Sequence, residues 1–149
     1  MKTLELAAAA ALVLLTGCAQ PHPKTTMDTL EGTWTCVSAV IDGRPLADDT
    51  VRLLRLTLTT NRYTTLKGTL VLFDSTYTAD LAKHPHEINI LGTEGALKGK
   101  EARGIYDLAG DTLMLCYTMP GKQRPTAFES PAGSEAYLMS WKRQALPGR

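Results

Sequence analysis

The chain has 149 residues and carries 16 Lys and Arg against 15 Asp and Glu, a formal charge of +1. Without a basic excess there is no footprint for nucleic acid, and without an acidic run there is none for a cation store. The length is that of a single domain.

The first eighteen residues, MKTLELAAAAALVLLTGC, read as an export signal. Lys2 precedes an apolar run from Leu6 to Leu15. That run of roughly ten residues suits a signal h-region and is too short to cross a bilayer core of about 30 Å as a helix. The segment Leu15-Thr16-Gly17-Cys18 resembles a bacterial lipobox, in which the signal is cut before a cysteine whose sulfur carries a diacylglycerol. The resemblance implies a signal peptide over 1–17, a lipidated Cys18 and membrane attachment through that lipid. Ala19 rather than Asp follows the cysteine, so the implied address is the outer membrane of a double-membrane bacterium, facing the periplasm. One acyl chain holds only marginally at about 0.8 kcal/mol per buried methylene, so the two or three chains of a lipoprotein make a stable anchor. Removing 17 of the 149 residues leaves 132. Within residues 18–29, the stretch AQPHPKTTMD holds two prolines and no apolar periodicity, and reads as a short extended tether.

A domain over 30–143 follows, with a tail over 144–149. Turn chemistry recurs about every ten residues, at Asp42-Gly43, Asn61-Arg62, Lys67-Gly68, Gly92 to Gly99, Gly110-Asp111, Pro120-Gly121 and Ala132-Gly133. Between these signals lie eight candidate strands, about 33–41, 54–60, 62–66, 69–77, 87–91, 102–109, 112–119 and 136–143. LRLTLTT places Leu54, Leu56 and Leu58 on one face, and EINIL places Ile88 and Ile90 together, a period of two rather than of a helix. TLMLCYTM is apolar on both faces, which predicts a strand covered on both sides. Only LADDTVRLL, from Leu46, reads as helical, for one or two turns with Asp48 or Asp49 as N-cap.

The stretch LEGTW resembles the Gly-x-Trp opening of lipocalins and related calycins. In that family the Trp begins the first strand and a basic residue of the last strand packs over the indole. The closing YLMSWKR supplies Lys142 and Arg143, and the resemblance implies Trp34 and Arg143 as the pair that closes the barrel's base. LEGTWTCVSAVIDGRPL, ARGIYDLAGDTLMLCYTMPGKQRPTAFES and YLMSWKR together resemble a lipocalin-like domain family abundant in planctomycetes, over nearly all of residues 30–143. That family has no assigned activity, so the resemblance implies a fold and an envelope address but no chemistry.

Cys36 and Cys116 remain once Cys18 is taken by lipid, and an oxidising envelope would invite a disulfide. In an eight-strand meander their strands lie two spacings apart, about 9.5 Å, beyond the roughly 7 Å that a bridge allows between Cα atoms. Both therefore read as small buried hydrophobes. His84-Pro85-His86 with Glu87 has the look of a metal pair, yet Pro85 suits a turn before the next strand and no further cluster completes a site. Lys122 and Arg124, in the loop MPGKQRPTAFES, are the candidates for gripping an anionic group at a barrel mouth. There is no Gly-x-Ser-x-Gly elbow, His-Glu-x-x-His or phosphate-binding glycine loop, so the reading is neither an enzyme nor a cofactor or metal protein.

The sequence thus predicts an all-β, eight-stranded antiparallel up-and-down barrel, lipocalin-like, with a β-sandwich as the alternative. Such a barrel has a bore just wide enough to be filled by side chains or to hold one small ligand. Two functions follow. One is a lipid-anchored envelope protein that binds a small apolar or amphipathic ligand. The other is a structural or interaction lipoprotein with a filled barrel. The oligomeric state is left open.

Overall fold

A computed structural model describes residues 29–145; the signal peptide expected over 1–17, the expected lipid site Cys18, the expected tether up to residue 28 and residues 146–149 lie outside the described residues. Strand β1 (Gly32–Ile41) buries Trp34, Cys36 and Ala39. Its register slips between Cys36 and Ser38, so the buried set passes from even to odd positions and Val37 stands exposed. The strand turns at Asp42-Gly43, whose φ values of 50° and 77° are those of a type I′ turn. A two-residue strand, β2 (Arg44–Pro45), completes this hairpin, which the sequence reading did not foresee.

Helix α1 (Asp48–Leu53) begins from Ala47, which makes no side-chain cap. The expected N-cap at Asp48 or Asp49 is therefore corrected. Both aspartates lie within the first helical turn, where their charge meets the positive end of the helix instead of capping it.

Strands β3 (Leu54–Leu58), β4 (Arg62–Lys67), β5 (Leu70–Asp80), β6 (His86–Gly92), β7 (Glu101–Ala109), β8 (Thr112–Thr118) and β9 (Ala136–Arg143) follow; β3 is antiparallel to β1, and each later strand is antiparallel to its predecessor. β1 pairs with both β3 and β9, so eight strands close into a barrel with β2 as a short ninth beside β1. The closing seam runs from Trp34 opposite Arg143 to Ile41 opposite Tyr137. This seam selects the barrel over the sandwich.

Leu56, Leu58 and Ile88 turn inward and are almost completely buried, as the alternation predicts, and Leu113, Leu115 and Trp141 join them in the core. Each such side chain contributes about 1.5–3 kcal/mol relative to exposure. β8 is covered on its outer side too. The loop over residues 119–135 crosses it, so Cys116 donates to the Glu129 carbonyl at 3.4 Å and Thr118 to the Gln123 carbonyl at 2.7 Å. Ile105 of β7, opposite Cys116, is buried outside the bore in the same way. One stretch stays open. β6 pairs with β5 only from Ser75 onward, leaving Leu70, Val71 and Leu72 exposed on a strand with one free edge.

Candidate functional site

The end of the barrel at Trp34 is built by cross-strand pairing. Trp34 and Arg143 face each other across the β1–β9 seam, which sends both side chains to the same side of the sheet. The guanidinium carbon of Arg143 lies 4.2 Å from the centre of the Trp34 ring. Trp34 donates through Nε1 to the Leu30 carbonyl at 3.1 Å. Arg143 donates through Nη2 to the Thr29 carbonyl at 2.7 Å and through Nη1 to that of Glu31. Two side chains thus hold three successive carbonyls of the segment that enters the barrel. Gly32 explains the first letter of the motif: its φ is 142°, and a Cβ there would sit 2.8 Å from Nη1 of Arg143.

The bore is filled. Tyr63 and Thr65 are buried, and Tyr117 stacks on Tyr137 with ring centres 5.0 Å apart and planes 8° from parallel. Burial pushes the Tyr63 phenol up to about 12 and that of Tyr117 well above its ordinary range. The space left among Tyr63, Ser75, Ile90 and Tyr117 is about 30 Å³. That is room for one or two waters. Ligand sites run to about 300–1,000 Å³.

No family model, curated protein or solved structure matches this chain.

Lys122 and Arg124 lie away from the bore and already have partners. Lys122 pairs with Glu135 at 2.9 Å. Arg124 donates through Nη1 to the carbonyls of Ile88 and Gly104 at 3.0 and 2.7 Å and through Nη2 to Asn89 at 2.7 Å, with Glu87 at 3.5 Å. It pins the 119–135 loop to the outer wall at β6 and β7. Cys36 and Cys116 are both buried free thiols. They lie on opposite faces of the wall, a stronger separation than strand spacing alone. Burial raises both thiols, Cys36 to about 11, so neither is a ready nucleophile at neutral pH. His86 Nδ1 lies 3.0 Å from the Lys83 carbonyl and its ring lies 5.3 Å from that of Tyr106. Among the described residues no group of three or more His, Cys, Asp or Glu is placed to hold a metal ion.

The larger concavities are on the surface. One of about 420 Å³ lies between the free edge of β5 and the 94–97 turn. Another, of about 510 Å³, opens at the Trp34 end between the incoming segment and the ends of β5 and β7. Tyr106 lines this second hollow, and its buried hydroxyl has no hydrogen-bond partner. Burial pushes that phenol to about 12. Sequence reasoning missed this place because its members, Leu30, Leu81 and Leu108 among them, are scattered apolar residues at strand ends. They carry no common period.

Proposed function

We propose that the chain is a lipid-anchored protein of the bacterial envelope whose lipocalin-like barrel is a solid scaffold. It acts through its outer surfaces and its ends, and encloses no ligand in its bore. The observation that carries this reading is the roughly 30 Å³ left between the inward side chains, an order of magnitude below what a small ligand needs. The Gly32-x-Trp34 opening with Arg143 over the indole supports the lipocalin-like assignment. The lipobox-like Leu15 to Cys18 supports the anchor and the outer-membrane address. Neither candidate anion-gripping residue offers a free charge, which weighs against a mouth site for an acidic ligand.

The test is to purify the protein from its native membrane, denature it and extract small molecules. The solid-scaffold reading expects none at one per chain that Ser75→Tyr, whose ring enters the space among Tyr63, Ile90 and Tyr117, displaces while circular dichroism shows the variant folded. A stoichiometric molecule lost in Ser75→Tyr would place a ligand in the bore and overturn it. For the anchor, Cys18→Ala should move the protein from the membrane to the soluble fraction; continued sedimentation with membranes would remove the lipid assignment.

A further inference from the structure

The bore and the Trp34 end of the barrel differ in kind. The hollow at that end is walled by Leu30, Tyr77, Ala79, Leu81, Tyr106 and Leu108, and its volume of about 510 Å³ falls within the range in which proteins hold small ligands. Its lining is mainly hydrocarbon and aromatic ring, with Leu81 56% exposed. Apolar surface gathered in a half-open concavity is unfavourable in water and favours an apolar occupant.

The path of the chain says which occupant is at hand. Thr29 lines the hollow, and only residues 19–28 separate it from Cys18. Ten residues span at most about 36 Å when fully extended. On the lipid-anchor reading, on which this inference rests, the Trp34 end is the end that the tether enters, within that reach of the bilayer. The loops over residues 93–100 and 119–135 leave the opposite end. We propose that this hollow receives one acyl chain of a bilayer lipid, whose head group stays outside. A chain drawn from the bilayer removes the lining from water without exposing its own methylenes, because it passes from one apolar surrounding to another. The barrel then stands with its Trp34 end on the lipid surface and presents the opposite end and the β5 edge to the periplasm.

The experiment reconstitutes the full-length protein in vesicles of phosphatidylethanolamine and phosphatidylglycerol. A small fraction of the phospholipid carries a photoreactive diazirine at the end of one acyl chain. After irradiation, peptides are mapped by mass spectrometry. Label should concentrate on residues 77–81 and 106–108, and should fall at least fivefold in both Leu81→Asp and Ala79→Arg, with circular dichroism and melting temperature monitoring the fold. Label spread elsewhere, or undiminished in both variants while they remain folded, overturns the proposal and leaves the anchor untouched. Base labelling that is absent from the wild type and emerges only in Cys18→Ala would mean that the protein's own acyl group fills the hollow, and also overturns it. If the wild type fails to float with vesicles, the anchor reading has failed. The same probe on a lysophospholipid, added to the unanchored protein, then decides whether the hollow takes an acyl chain at all: label at 77–81 supports the site, and none removes it.

Discussion

Arg143 does three things at once: it covers the Trp34 ring, and it bonds the carbonyls of Thr29 and Glu31. Arg143→Met should lower stability by about 2 kcal/mol, since it removes two charge-assisted hydrogen bonds and a cation–π contact. Urea denaturation checks this. Arg143→Lys should restore less than half, because a compact ammonium cannot serve two carbonyls in the fork geometry of a guanidinium. Gly32→Ala should cost about 1–3 kcal/mol through its positive φ, and a Cβ there would also displace the guanidinium. The basic residue and the Trp were legible in the sequence through a family resemblance. The reason for the glycine was not, because it depends on where Arg143 comes to lie from 111 residues away.

At the scale of elements, alternation gave the strands nearly to the residue: β1, β3, β4, β6, β7, β8 and β9 begin and end within two residues of their expected limits. β5 is longer than expected, reaching Asp80, because β6 supplies partners as far as Glu87 opposite Asp80. Pairing, not the weak alternation of that stretch, extends it. The place of the 119–135 loop was not legible in the sequence: Arg124 pins it to the wall through the carbonyls of Ile88 and Gly104, remote in the chain. Arg124→Ala should free the loop and speed maleimide labelling of Cys116 at least tenfold, while Cys36, on the other side of the wall, keeps its rate. Unchanged Cys116 labelling would show that the loop is held by other contacts. The free edge of β5 carries a different risk. An exposed apolar edge invites strand pairing between molecules, so Val71→Lys should reduce light scattering at high concentration and change stability by less than about 0.5 kcal/mol.

For the whole molecule, a filled polar-aromatic interior sets the pH response. Cys36, Tyr63 and Tyr106 are raised by burial from ordinary values of 9.0, 10.0 and 10.0 to about 11, 12 and 12. The folded state keeps these protons to a higher pH than the unfolded chain does. Their contribution is therefore complete below about pH 9 and is lost as pH rises through 11 and 12. Chemical denaturation across pH should show a flat contribution below 9 and falling stability above it, with a shallower fall in Tyr63→Phe. Rising stability above pH 10 would contradict the buried-phenol account. The sequence by itself determined the eight barrel strands and their inward faces, because period-two patterning is written in neighbouring residues. Closure of β1 on β9, the filling of the bore, the pinning of Arg124 and the hollow at the Trp34 end were decided only by the tertiary structure. Each depends on volumes and distances between side chains remote in sequence, and no local pattern encodes how much space they leave.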